Sequence, residues 1–229
     1  MLDLNALTAR QLAGCIDHTL LKADATRPQI EALCSEALEH HFASVMVNPC
    51  RVPLCRELLA GSDVKVGTVI GFPLGAVTMY SKVAEAESAI SLGAQELDYV
   101  LNIGVLKDGN LGLIEAEMEA ITTACHKQGA LTKVIFETCY LTDAQIQAAA
   151  RIAAEVKPDF IKTSTGFGPA GATAAHVALM ADTVSGSGVQ VKAAGGIRTW
   201  ADCKAMLEAG ATRIGASAGV KILAEFAAL

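Results

Sequence analysis

Aromatic residues make up only 4% of this 229-residue chain, with one tryptophan, three tyrosines and six phenylalanines. The tyrosines, Tyr80, Tyr99 and Tyr140, are expected to pack rather than to react. Positive charge is also scarce, with 18 Lys and Arg against 24 Asp and Glu and a net charge of -6. That balance argues against nucleic acid or an anionic membrane as partner, since both demand a basic patch. No apolar run is long enough to span a bilayer. The segment Met1-Leu2-Asp3-Leu4-Asn5 has no basic stretch leading into an apolar one, so no secretion signal is read there. The seven cysteines are odd in number and contain no C-x-x-C pair, so a disulfide framework is not expected. They are read as reduced thiols of a cytoplasmic protein. Cys34, His40 and His41 lie close together, but their spacing fits no usual zinc pattern and reads as a helix end with solvated histidines, so no metal is expected. Linkers, charge blocks and low-complexity tracts are missing too, which leaves a second domain no place to begin.

What is present is repetition: a short apolar run, a polar or glycine-rich loop, then an alanine-rich segment with helical spacing. Strands are predicted at Cys15–Leu20, Ala43–Val47, Val64–Ile70, Glu96–Leu101, Leu131–Glu137, Phe160–Lys162, Val189–Ala193 and Arg213–Gly215. Between them helices are predicted at Arg27–His40, Ser81–Leu92, Leu111–Gln128, Asp143–Val156, Ala172–Thr183 and Trp200–Glu208, rich in Ala, Leu and Glu. Gly93, Gly129 and Gly210 stand where three of these helices stop. Strict alternation implies parallel strands. Eight such units suggest a single (β/α)8 TIM barrel over residues 1–229, with an open doubly wound sheet as the alternative. The first strand-to-helix loop, Lys22 to Thr26, lacks the glycine triplet of a dinucleotide site, which disfavours NAD.

In a barrel the reactive groups gather at the C-terminal strand ends. Those ends offer Asp17 and His18, Asn48, Asp98 and Asn102, Glu137, Lys162 and Lys192. After the seventh strand comes Gly195-Gly196-Ile197-Arg198, and after the eighth Gly215-Ala216-Ser217-Ala218-Gly219. Two such loops in consecutive units are suited to hold a phosphate through backbone N–H groups, with Ser217 adding a hydroxyl; the competing reading is two tight turns. A phosphate site beside paired amines suggests a phosphorylated carbonyl substrate held as an imine. A lysine with a pKa near 10.4 needs about 4.6 kcal/mol to lose its proton at pH 7. Ammonium groups on neighbouring strands ~4.8 Å apart and roughly 6 Å from each other would repel by about 2.8 kcal/mol at an effective dielectric of ~20, lowering one pKa by about 2. Desolvation would supply much of the rest. The spacing does not say which lysine is the nucleophile. It is also compatible with each lysine simply pairing with Asp17, Asp98 or Glu137.

The segments Ile16-Asp17-His18-Thr19-Leu20-Leu21-Lys22, Val69-Ile70-Gly71-Phe72-Pro73-Leu74-Gly75, Glu96-Leu97-Asp98-Tyr99-Val100-Leu101-Asn102-Ile103-Gly104, Ile161-Lys162-Thr163-Ser164-Thr165-Gly166-Phe167 and Val191-Lys192-Ala193-Ala194-Gly195-Gly196-Ile197-Arg198 resemble the deoxyribose-phosphate aldolase family across nearly the whole chain. The resemblance implies a metal-free and cofactor-free class I aldolase on a (β/α)8 barrel, cleaving 2-deoxy-D-ribose 5-phosphate reversibly to acetaldehyde and D-glyceraldehyde 3-phosphate. It makes Lys162 the Schiff-base lysine, Lys192 its charged neighbour, Asp98 the proton-transfer group and Asp17 a member of the network around Lys192. Substrate contacts are expected from Asn48, Thr165, Gly166, Gly195, Gly196, Gly215 and Ser217. A homodimer or higher homo-oligomer is the default assembly.

The chain departs from the family pattern in three places. Ala216 and Ala218 flank Ser217 where hydroxyls are common, which implies weaker phosphate binding. Met46 stands where a cysteine is common, which implies better tolerance of reactive enals. The ending Phe226-Ala227-Ala228-Leu229 lacks the terminal tyrosine that assists proton transfer in some members.

Overall fold

The computed structural model describes residue 4 and residues 6–228. Most of the segment Met1-Leu2-Asp3-Leu4-Asn5 and the terminal Leu229, on which two of the sequence readings fall, lie outside the described residues. Eight parallel strands close into a barrel in sequence order: β1 Ile16–Leu20, β2 Ser44–Val47, β3 Lys65–Ile70, β4 Glu96–Val100, β5 Leu131–Ile135, β6 Phe160–Lys162, β7 Gln190–Ala194 and β8 Arg213–Ala216. The closure, with β8 pairing β1, excludes the open doubly wound alternative. The described helices are α1 Ala9–Ala13, α2 Arg27–His40, α3 Val52–Leu58, α4 Met79–Leu92, α5 Ile103–Lys107, α6 Leu111–His126, α7 Asp143–Val156, α8 Ala174–Thr183, α9 Trp200–Glu208 and α10 Gly219–Ala227.

Local chemistry explains the boundaries. In α7, Thr142 and Gln145 form a reciprocal capping box, with the Thr142 hydroxyl accepting from the Gln145 N–H and the Gln145 side chain accepting from the Thr142 N–H. Ile146, Ala149, Ala150 and Ala153 then fall on one buried stripe. Gly93, Gly129 and Gly210 take left-handed φ values of 114°, 72° and 106° at or just past their helix ends. Strand β5 ends at Ile135, short of the predicted Glu137, because Glu137 itself is left-handed at φ 54° and can no longer continue the ladder.

The core lies mainly outside the barrel. Leu97 and Tyr99 of β4, Val134 of β5 and Ile161 of β6 turn outward into one apolar layer beneath the helices. The alternate residues point inward, so Asp98, Lys133, Lys162 and Lys192 converge on the axis. The inner apolar cluster is small, formed by Leu21, Met46 and Val69 with Phe72 packed on it. Charged groups therefore fill space that most barrels give to Val, Ile and Leu.

Candidate active site

Lys162 and Lys192 are direct partners in the β6–β7 register, which sets both side chains on the inner face at the same height. Asp98 reaches between them from β4. Its Oδ2 accepts from Lys162 Nζ at 2.8 Å and from Lys192 Nζ at 2.7 Å, while its Oδ1 accepts from Lys133 Nζ at 2.8 Å. Lys192 also donates to Asp17 Oδ2. Below this layer Lys133 pairs with Glu96 at 2.7 Å, and Arg213 bridges Asp17 at 2.6 Å and Glu96 at 3.1 Å. Ser44 donates to Asp17 Oδ1, the oxygen that Arg213 also reaches, at 2.8 Å. Each of these charges has a partner, and all but the partly exposed Arg213 are buried, as the low-dielectric interior requires.

Burial is the largest influence on Lys162 and pulls its pKa down; Asp98 pulls it back up, and Lys192 lowers it again, leaving it at about 8. Desolvation thus leads, whereas the spacing of the two lysines had suggested that repulsion would. Asp98, which accepts from both ammonium groups, offsets part of the two lowering effects. Burial pushes Asp98 itself upward, but Lys133, Lys162 and Lys192 outweigh it and hold the carboxyl well below its usual range. Asp17 is likewise held down against burial by Lys192, Arg213 and Lys133. Lys133 is raised above the ordinary lysine value, because Asp98, Glu96 and Asp17 outweigh its burial.

Above Lys162 opens a cavity of about 270 Å³ at the C-terminal mouth of the barrel. Its walls include Lys162, Thr165, Gly166, Gly195, Gly196, Gly215 and Ser217, so these expected site residues come together. Asp98, Lys192 and Asp17 lie immediately beneath, fully buried. Gly195 has to be glycine: its φ is 87°, and a Cβ there would press on the Gly171 backbone at 3.0 Å. At Gly215 a Cβ would meet Lys192 Cε at 3.1 Å, so this residue keeps the channel that Lys192 occupies. Helix α10 begins just beyond Ser217, and its N-cap, Ala218, offers no side-chain acceptor to the first-turn N–H groups. Those donors, the two glycine loops and the positive end of the helix dipole suit an anion.

Asn48 stands apart from this group. Its amide donates to the carbonyls of Leu21 at 3.2 Å and Lys22 at 3.4 Å, so it braces the β1–α2 loop instead of lining the cavity. Tyr99 is packed as expected, but Tyr80 and Tyr140 are 80% and 47% exposed and do not belong to the core. Lys22 and Arg198, exposed cations on the cavity walls, and the deep residues Lys133, Glu96 and Arg213 are functional candidates that the sequence reading passed over. For Lys133 a signal existed, a lone lysine in the run Leu131-Thr132-Lys133-Val134-Ile135. Glu137 is turned to Thr165, accepting from its N–H at 3.2 Å and from its hydroxyl. A second concavity of about 350 Å³ shares the Thr165 and Phe167 wall, but the one lysine on it, Lys107, donates to the Tyr140 carbonyl at 2.6 Å. The buried amine of Lys162 makes the first cavity the candidate reactive site.

A closed (β/α)8 barrel with a buried lysine under an anion-suited mouth has the layout of a barrel enzyme. Residues 12–225 match the model of the DeoC/LacD family aldolases, and the chain belongs to this family, whose members are carbon–carbon lyases. It is 55% identical over 213 residues to deoxyribose-phosphate aldolase of Exiguobacterium sibiricum, covering 93% of this chain and 95% of that one. It is 54% identical over 216 residues to deoxyribose-phosphate aldolase of Thermoanaerobacter pseudethanolicus, covering 94% and 96%. Among solved structures it is similar to the deoxyribose phosphate aldolase of Aeropyrum pernix, described as a unique tetramer, with a TM-score of 0.91, 32% identity and coverage of 98% and 94%.

Proposed function

We propose that this aldolase reversibly cleaves 2-deoxy-D-ribose 5-phosphate to acetaldehyde and D-glyceraldehyde 3-phosphate through an imine on Lys162. The observation that carries this reading is the position of Lys162: a buried amine that opens into the cavity floor, with its pKa lowered to about 8, bonded to the acceptor Asp98, whose same oxygen also holds the donor Lys192. The relatives' names and the phosphate-suited mouth support the substrate.

Neutral Lys162 Nζ adds to the open-chain aldehyde, and loss of water from the carbinolamine leaves a protonated imine that draws electrons from the adjacent carbon. The Asp98 carboxylate, directly or through solvent, takes the proton of the carbon-3 hydroxyl. The bond between carbons 2 and 3 breaks, its electron pair passing into the enamine, and glyceraldehyde 3-phosphate leaves. Asp98 is held ionised by three ammonium groups, so it carries the proton only in passing. Lys192, bonded to Asp98 at 2.7 Å, is the donor for protonation of the enamine. Hydrolysis of the new imine releases acetaldehyde. Contacts to the phosphate at Gly195, Gly196, Gly215 and Ser217 orient the reacting end by binding energy drawn from a remote group.

Borohydride reduction in the presence of acetaldehyde, followed by mass mapping, tests the reading. A two-carbon adduct on Lys162 supports it; an adduct on Lys192, on Lys133 or nowhere refutes it. Replacing deoxyribose 5-phosphate by deoxyribose tests the phosphate assignment, which requires a large rise in KM. We further propose a homo-oligomer, supported by the tetrameric relative and by the exposed apolar side chains Leu74, Tyr80 and Leu113, and measurable by light scattering. Seven cysteines without a disulfide support a reducing, cytoplasmic setting.

A further inference from the structure

Seven ionisable side chains form one unbroken chain of contacts down the barrel axis. Arg213 meets Asp17 and Glu96, Glu96 meets Lys133, Asp17 meets Lys192, and Asp98 meets Lys133, Lys162 and Lys192. Three of the seven are carboxylates and four are bases. With every group ionised, the interior therefore carries one positive charge more than it can match.

No neighbouring element supplies the missing anion. Glu137, beyond the end of β5, is turned to Thr165 and Cys139 and forms no ion pair among the described residues. His18 of β1 points outward to Glu36. Cys15, preceding β1 and facing Arg213 and Asp17, is a thiol that burial pushes further from ionisation. A buried charge without a partner is relieved by release of a proton. Arg213 cannot release one. Lys133 has Asp98 and Glu96 within 2.8 Å, and Lys192 has Asp98 and Asp17, whereas Lys162 has Asp98 alone and shares its oxygen with Lys192. Lys162 is the weakest-held proton in the network.

We propose that Arg213, at the first residue of β8 and at the end of the barrel away from the cavity, is a positioning residue that weakens the hold of Lys162 on its proton by supplying the fourth positive charge to a network with three negative ones. The inference rests on Lys162 being the imine-forming residue. Arg213 does not line the cavity; it acts by occupying Asp17 and Glu96, which leaves Asp98 as the one carboxylate in contact with Lys162. Its guanidinium lies over the Phe160 ring, 5.2 Å from the centroid, which fixes its place in the chain.

The test is the pH dependence of borohydride-trapped acetaldehyde adduct, with the site of the adduct mapped at each variant. Removing a unit charge roughly 10 Å away, at an effective dielectric of ~20, moves the midpoint by about one pH unit. Arg213→Met should move it upward by that amount and Arg213→Lys should leave it near its original place. Glu96→Gln, which increases the excess of positive charge, should move it downward, and the double variant Arg213→Met/Glu96→Gln should return it towards the original. A purely structural role for Arg213 lowers the amplitude at every pH and leaves the midpoint where it was, and that result overturns the proposal. If Arg213→Met does not accumulate folded protein, Glu96→Gln decides: an unmoved or raised midpoint overturns it. An adduct on a residue other than Lys162 refutes the functional reading instead, so the two failures are told apart.

Discussion

Replacing Asp98 by asparagine should separate two steps that a simple loss of catalysis would merge. Asp98 contacts all three buried lysines of the barrel interior, Lys133, Lys162 and Lys192, and the carboxylate is what holds the Lys162 pKa up at about 8 against burial and Lys192. With that value, about a quarter of Lys162 is the free amine at pH 7.5. An amide in place of the carboxylate removes the attraction for the proton, so the free amine can rise to nearly all of the enzyme. Imine trapping with acetaldehyde at pH 7.5 is then expected to hold or to increase, by no more than about fourfold. Cleavage of the sugar phosphate is expected to fall by about 10²–10⁴-fold, the usual contribution of a positioned acid–base group. The variant also leaves three buried ammonium groups short of a counter-ion, a loss of about 3–5 kcal/mol, so circular dichroism must accompany the kinetics. The assays are borohydride trapping and turnover of deoxyribose 5-phosphate on the same folded sample. A parallel fall in both refutes the reasoning, because Asp98 would then be needed to form the imine and not specifically to move the carbon-3 proton.

Lys192→Met should raise the Lys162 pKa: two ammonium groups on one Asp98 oxygen are roughly 5 Å apart, which at a dielectric of ~20 is about 3 kcal/mol, or about 2 in pKa. Since the amine must be neutral to react, the rate should fall about 100-fold at neutral pH and its rising limb should move to higher pH in a pH–rate profile. Met46→Cys places a thiol beside Leu21, a cavity-wall residue, and should shorten the enzyme's lifetime in concentrated acetaldehyde several-fold; an unchanged lifetime sinks the idea that Met46 confers tolerance. Ala218→Ser gives α10 a capping hydroxyl, worth about 1 kcal/mol and a melting temperature higher by about 2–4 °C, and should lower KM for the phosphorylated substrate without changing kcat.

The barrel was readable because its outer face obeys simple rules. Arg27–His40, Asp143–Val156 and Trp200–Glu208 are marked by Ser/Thr-type caps and periodic alanines, and the structure keeps those bounds. Lys162 and Lys192 stood out because each ends a buried run and precedes small residues. Lys133 and Arg213 did not, since a charge inside or at the start of a strand is equally consistent with a solvent-facing position until the closed barrel turns it inward. Asn48 shows the opposite problem: a polar residue at a strand end is correctly placed near the mouth, yet its hydrogen bonds go to a neighbouring loop. Glu137 marks a third limit, because a left-handed backbone at a non-glycine residue leaves no trace in the sequence and shortens β5 by two residues.

The charge-filled axis has an engineering consequence. Replacing a buried ion network by fitted apolar residues is a usual route to a more stable protein, and in an ordinary barrel the interior would be the first place to try it. Here the groups that make the interior costly to fold are the same ones that, under the proposed mechanism, set the reactivity of Lys162. The proposed mechanism therefore directs stabilisation to the helix caps and the outer layer, where Ala218 and the apolar shell lie, and away from the axis.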